Sequence, residues 1–327
     1  MKYIDFHCDT LGRVTPRTPA DQPVPLRSNT LQVDAERLKA SGCAAQFFAM
    51  FMSIQHEEDT LRRCLLMTDC FRTELDKCSD ILAFAGNADD LDRNLAEGKT
   101  SAFLTIEDSG IIYGDLAMLR VLHRLGVRLI TLTWNYDNEV GSPNTSPEST
   151  AKGLTENGIE FVRECNRLGV IVDVSHLSDG GFWDVVKYSD KPFVASHSDA
   201  RAVASHTRNL TDEMIRALAE AGGVSGLNYC GGFVRPRGGD MYAPFESEQC
   251  TLEDLAAHAV HMAKVGGVGC VALGSDFDGI GSWPDGLDGA DKVPLVADAF
   301  KRAGFTESEV DNIMFGNAYR VIRETMK

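Results

Sequence analysis

Eight histidines are spread over 327 residues, and three of them stand with carboxylates in settings that suggest metal chemistry. Near the N-terminus an apolar run leads into Asp5-Phe6-His7-Cys8-Asp9. His7 and Asp9 are two apart, so on an extended backbone both project to one face while Cys8 points away. An imidazole and a carboxylate at that spacing can share a divalent ion, although the pair alone fits a turn with a capping Asp equally well. A later run ends Leu104-Thr105-Ile106-Glu107. A glutamate in that position is either solvated at the rim or a ligand, and a bridging carboxylate is what two metals need; Asp108 points the other way and reads as structural. Asp173-Val174-Ser175-His176 and Val194-Ala195-Ser196-His197 each end in a histidine, a repetition that core packing does not explain. Ala272-Leu273-Gly274-Ser275-Asp276 adds one carboxylate, with Asp278 shaping the loop beyond it. Convergent His, Asp and Glu of this kind mark metal sites. His123 lies in a helical stretch, His258 and His261 form an i, i+3 helix pair, and nothing near His56 completes a site.

The elements that must position these residues repeat as apolar run, loop, helix-like segment and glycine. The spacing predicts strands over Tyr3–Phe6, Ala44–Phe51, Thr100–Ile106, Leu129–Thr133, Val170–Val174, Pro192–Ser196, Gly223–Leu227 and Cys270–Gly274. Apolar residues at three- and four-residue spacing predict helices, among them Leu116–Leu125, Ile159–Leu168, Met214–Ala221 and Leu252–Val265. Gly42, Gly126, Gly169, Gly222 and Gly266 fall where a left-handed helix-ending residue belongs. The strand runs are almost continuously apolar, as in parallel sheets buried on both faces. Eight strands alternating with helices predict a single (β/α)8 TIM barrel, one domain over 1–327, with the site at the C-terminal face of the strands. A doubly wound open sheet is the alternative, but no G-x-G-x-x-G follows the first strand. The loops leaving strands are long: Arg13–Thr30, with four of the eleven prolines, Tyr136–Gly153, Cys230–Cys250 and Phe277–Pro294.

Composition narrows the function classes. The chain is 43% hydrophobic and 24% charged, ordinary for a globular protein, with a formal net charge of −16. That charge repels phosphate backbones and anionic lipid, which argues against nucleic-acid and membrane partners. No apolar stretch is long enough for a bilayer span, and the N-terminus lacks a signal-peptide pattern. Nine cysteines without a C-x-x-C pair read as reduced thiols of a cytoplasmic protein.

Taken in order, His7-x-Asp9, Ile106-Glu107, Leu132-Thr133-Trp134-Asn135, Val172-Asp173-Val174-Ser175-His176, Ser196-His197-Ser198 with Thr207-Arg208-Asn209, and Gly274-Ser275-Asp276-Phe277-Asp278-Gly279 form a specific series. The chain resembles, end to end, the membrane (renal) dipeptidase family of the amidohydrolase superfamily. The resemblance implies two zinc ions, or other divalent metals, with His7 and Asp9 on one, His176 and His197 on the other, and Glu107 bridging. It implies that Asp276 is the catalytic acid–base and that Arg208 grips the substrate's C-terminal carboxylate, where the residue alone would also fit a surface salt bridge. Tyr229 is similar to a pocket-lining tyrosine. One departure stands out: the founding mammalian members carry a histidine after the fourth strand's Leu-Thr, and here the place holds Trp134, which can donate one hydrogen bond but cannot become cationic. Support for the scissile carbonyl then falls to the metals, Asn135 or Asn138.

The implied activity is hydrolysis of small dipeptides by metal-bound hydroxide, including dipeptides with a D-residue at the C-terminal position. The Pro-rich Arg13–Thr30 loop is expected to cover the site and limit substrate length. A second enzyme reading is hydrolysis of an N-acyl amino acid, lactam or lactone on the same site. A non-catalytic binding protein would be expected to have lost a metal ligand or Asp276, and all six residues are present. A monomer and a homodimer both fit the sequence.

Overall fold

The computed structural model describes residues 1–18, 20–22, 24–235, 241–242 and 248–326. Its sheet contains β1 (Tyr3–Cys8), β2 (Cys43–Phe51), β3 (Leu82–Phe84), β4 (Thr100–Glu107), β5 (Val127–Thr131), β6 (Ile171–Asp173), β7 (Val194–Ala195), β8 (Val224–Leu227) and β9 (Val271–Leu273). Every pairing is parallel. β1 pairs with β2 and β9, β2 with β4, and the rest follow in order, so eight strands close the expected (β/α)8 barrel. The unexpected strand is β3. Its three residues pair with Thr100–Ala102 at the foot of β4, on the edge that β5 occupies from Leu104 onward. Leu82-Ala83-Phe84 is too short a run to register as a strand by pattern.

Burial on both faces explains the continuous apolar runs: every residue of β1 and β4 is buried. Helix ends follow local chemistry. Asp115 accepts from Ala117 N and Met118 N to start Leu116–Leu125, which Gly126 ends at φ +120°. The helix Leu252–Gly266 runs one residue further than expected, so the left-handed position falls on Gly267 (φ +85°), not Gly266.

Inside the barrel the lower layers are apolar. Phe6, Phe47, Phe103, Leu129, Ile171, Val194, Val224 and Ala272 belong to one cluster, which Ala318, Val321 and Ile322 of the terminal helix Asn317–Thr325 seal from below. Alternation along the same strands then carries Glu107, Thr131, Asp173, Ser196 and Asn228 to the upper end. β1 departs from this rule. Asp5 pairs with Gln46 and Cys8 with Phe48, three residues against two, a bulge that turns His7 toward the barrel axis. Strict alternation from Ile4 and Phe6 would have sent it outward. All nine cysteines are free thiols, and among the described residues no helix is long and apolar enough to cross a membrane.

The closure of β7, β8 and β9 depends on absent side chains. A Cβ on Gly274 would lie 1.7 Å from Ser196 O, next to His197, whereas a Cβ on Gly269 meets nothing within 4 Å. Gly274→Ala is expected to lower stability by about 3 kcal/mol or more, since backbone must move to admit it. Gly269→Ala should stay within about 0.5 kcal/mol of the parent. Chemical denaturation of both variants checks the contrast.

Candidate metal centre

Five of the sequence-predicted ligands converge at the upper mouth of the barrel around one carboxylate. Glu107 Oε2 lies 3.5 Å from His7 Nε2, while Oε1 lies 3.0 Å from His176 Nε2 and 3.7 Å from His197 Nε2. The two oxygens therefore face different imidazoles. His7 Nε2 is also 3.8 Å from Asp9 Oδ2 and 3.8 Å from Asp276 Oδ1. His7, Glu107 and His197 form one group with metal-ligand spacing, and His7, Asp9 and Asp276 form a second.

Local structure aims each group. Asp9 lies past the end of β1, where the helix Thr10–Val14 begins, so a turn and not strand alternation brings it beside His7. His176 and Asp276 each stand three residues beyond the last residue of their strands, β6 and β9. Both adopt left-handed backbone, φ +67° and +61°. Such a conformation costs a non-glycine residue about 1–3 kcal/mol and persists where surroundings enforce it. Here His176 O accepts from Asn144 N, and Asp276 N donates to His7 O. Gly279 supplies the room: a Cβ there would lie 2.0 Å from Asp9 Oδ2 and 2.7 Å from Asp276 Oδ1.

Asp173, buried beneath the histidines, fixes their orientation. Its Oδ1 accepts from Ser175 N and Ser196 N, and its Oδ2 accepts from the Thr131 and Ser196 hydroxyls at 2.6 Å each. The Ser196 hydroxyl has one proton and spends it on Asp173, so it can only accept from His197 Nδ1 at 2.7 Å. That fixes the tautomer and leaves a lone pair on Nε2. Asn135 Oδ1, 3.1 Å from His176 Nδ1, imposes the same tautomer there. The two Nε2 atoms then face each other at 3.0 Å with Glu107 Oε1 beside them. Two imidazole lone pairs and a carboxylate oxygen converging in this way suit a cation.

The electrostatics point the same way. Burial, then the Asp9 charge, pushes the Glu107 carboxyl up to about 8, and burial pushes Asp276 up to about 6. Burial opposes a charged His7, yet the Glu107 and Asp9 carboxylates hold that imidazole well above its ordinary value. Burial and neighbouring cations keep His176 and His197 neutral, the form that binds metal. The residues fit a divalent-metal centre.

A cavity of about 440 Å³ opens over this centre, a size for a small molecule. Four long loops contribute to it, through Arg13 and Arg17, Asn144 and Thr145, Phe233 and Tyr242, and Asp278 with Gly279 and Ile280. Arg208 lines it and is buried, which disposes of the surface salt-bridge alternative. Its guanidinium donates to Ser198 Oγ and His197 O, and among the described residues its Nε has no partner. The loop that carries it is stapled by the Arg201–Asp179 ion pair and by Asn209, which donates to Ala204 O and Phe233 O.

Other expectations need correction. Tyr229 is fully buried, packed edge-on against Phe277, and is absent from the cavity wall, where the described aromatic residues are Phe51, Trp134, Phe233 and Tyr242. Asn138 cannot serve a substrate carbonyl: its amide donates to Asp108 and Leu132 O and accepts from Val140 N and Gly141 N. Asn135 and Trp134 do reach the cavity. Asp108 and Asp278 are structural as read, the second accepting from Thr10 Oγ1 and Gln32 N. The sequence pattern left His206 unassigned; it lines the cavity and accepts from Arg208 N. It also left Asn228 unassigned, which donates to Asp276 Oδ2 at 2.9 Å and is recognisable only as a polar residue at a strand's upper end.

Comparison with known proteins agrees with this geometry. The family model for membrane dipeptidases, peptidase family M19, matches residues 1–327. An uncharacterized dipeptidase of Schizosaccharomyces pombe is 33% identical over 310 residues, 90% of this chain and 73% of its own length. The dipeptidase TcpJ of Claviceps purpurea is 29% identical over 331 residues, 98% of this chain and 73% of its own. Among solved structures, a metallopeptidase from Rhodobacter sphaeroides, liganded with a phosphinate mimic of the dipeptide L-Ala-D-Ala, superposes with a TM-score of 0.86 at 29% identity, covering 99% of both chains. With the family model spanning the chain and the ligand series gathered around Glu107, the protein belongs to the membrane dipeptidase family, M19, and with it to the metallodipeptidase class of hydrolases.

Proposed function

We propose that the protein hydrolyses small dipeptides, including those with a D-residue at the C-terminal position, using two zinc ions held by His7, Asp9, Glu107, His176 and His197. The observation that carries this reading is a buried arginine and a buried acid–base that line one 440 Å³ cavity together with candidate ligands. The Rhodobacter relative's L-Ala-D-Ala mimic supports the substrate class. Bound there, such ions supply Lewis acidity and lower the pKa of water enough for it to ionise near neutrality.

The chain's own residues do the rest. Arg208 pairs with the substrate's terminal carboxylate and sets the distance from that end to the scissile bond. Asp276 Oδ2 is tied to Asn228, which leaves Oδ1, on the side of His7 and Asp9, to receive the proton of the attacking water. Its carboxyl near 6 suits a base that then returns the proton to the leaving amine. Trp134, braced by Phe51 at 4.8 Å and Tyr136 at 5.8 Å, gives the wall an apolar face where a cationic one would serve a carbonyl oxygen. Asn135 is already committed to His176.

Asp276→Asn keeps the shape and removes the proton acceptor. It is expected to keep the fold and bound metal while turnover falls by at least about 10²-fold; activity within a few-fold of the parent would contradict the role. Arg208 is checked by a two-by-two comparison of wild type and Arg208→Met on a dipeptide and its C-terminal amide. A charged hydrogen bond contributes about 1.5–3 kcal/mol, so Arg208→Met should lower kcat/KM on the dipeptide by roughly ten- to a few hundred-fold. The amide, a poor substrate of the wild type, should be affected far less. Equal losses on both would make Arg208 structural, and a wild-type preference for the amide would favour a different amidohydrolase chemistry.

A further inference from the structure

The strand order places two cationic walls across one cavity. β1 and β2 stand opposite β6 and β7 around the barrel, and Arg208 follows β7. On the far wall, after β1 and β2, the cavity is lined by Arg13, Arg17 and Arg63. In a chain with net charge −16, three arginines on one wall are not the background.

None of the three is fully neutralised. Arg63 is buried, and its guanidinium donates to the carbonyls of Thr15 and Pro16, which holds the loop in place without an ion-pair partner among the described residues. Arg13 is exposed on the cavity rim, and among the described residues no ion pair involves it or Arg63. Arg17 has one weak partner, Glu57 at 3.8 Å, with its side chain 75% exposed. Asp21 is nearby, but its carboxylate is occupied by Arg17 N, Thr18 N and Thr18 Oγ1. A substrate whose carboxylate sits on Arg208 crosses the metal ligands and presents its N-terminal residue to this second wall.

We infer that Arg13 and Arg17, with Arg63 behind them, form a specificity subsite for an acidic side chain on the N-terminal residue of the dipeptide. Arg13 and Arg17 are the recognising groups because their side chains are free to reach. Arg63 anchors the Thr15–Pro16 turn between them and adds field without moving. A lysine or arginine side chain in the same place meets like charge at short range. The inference rests on the dipeptidase reading and on Arg208 holding the carboxylate.

The test measures kcat/KM for L-Glu-Ala, L-Gln-Ala and L-Lys-Ala, with L- or D-alanine chosen by whichever the enzyme turns over faster in the Gln series. Glu and Gln differ only in charge. Wild type should prefer Glu over Gln by about ten-fold, what one charge-assisted hydrogen bond supplies, and should take Lys least. The preference should shrink as salt rises, since an open rim is screened. In Arg13→Gln/Arg17→Gln the Glu-to-Gln ratio should collapse toward one, with circular dichroism and metal content as in the parent. A wild-type ratio at or below one, or a ratio the double variant leaves unchanged, overturns the subsite while turnover of L-Gln-Ala keeps the dipeptidase reading. Failure to hydrolyse any of the three overturns both.

Discussion

A carboxylate buried among three imidazoles demands a cation, and the upper half of this barrel is organised around meeting that demand for Glu107. Its two oxygens address separate imidazole groups, His7 on one side and His176 with His197 on the other. An uncompensated buried carboxylate is costly, so it and a neighbouring imidazole hold protons more tightly when only protons are available. Glu107 rises, His7 rises, and the two remaining histidines stay neutral. A divalent ion held by these residues would supply the positive charge without a proton.

Holding that arrangement takes a polar layer that does no chemistry itself. Asp173 accepts four hydrogen bonds from three strands and their extensions, and so locks Ser196 as an acceptor for His197. Asp5 plays a comparable part across the barrel seam, accepting from His7 N and Ser275 N and thereby joining the first strand to the last. Beneath these, Phe47 stacks on Phe103 at 4.5 Å and keeps water out of the lower barrel. The apolar floor makes the ligand layer a low-dielectric place, and the buried carboxylates make that layer receptive to metal.

Much of this was legible in the residues. Continuous apolar runs ending in His, Glu or Asp marked both the strands and the end of the barrel that carries the candidate site, because burial on two faces and a polar tip leave a strong local signal. The five candidate ligands and Asp276 lie together at the barrel mouth, His7 and Asp9 by way of a bulge and a turn and not by strand alternation. What pattern could not convey were features set by register and by loops. The bulge in β1 that aims His7 depends on how β1 pairs with β2, which no local spacing encodes. The resemblance implied a wall role for Tyr229, yet its ring is buried edge-on against Phe277. The arginines opposite Arg208 are far apart in sequence, Arg13 and Arg17 against Arg63, and only closure of the barrel puts them on one wall.

The central claim, that one glutamate serves two metal positions, is tested most directly by counting metal. Purified protein, loaded with zinc and dialysed, would be analysed by plasma mass spectrometry alongside Glu107→Gln. The account predicts close to two ions per chain in the wild type and loss of at least one in the variant, since a neutral amide cannot bridge two cations. A wild type that saturates at a single ion, with Glu107→Gln unchanged, would contradict it.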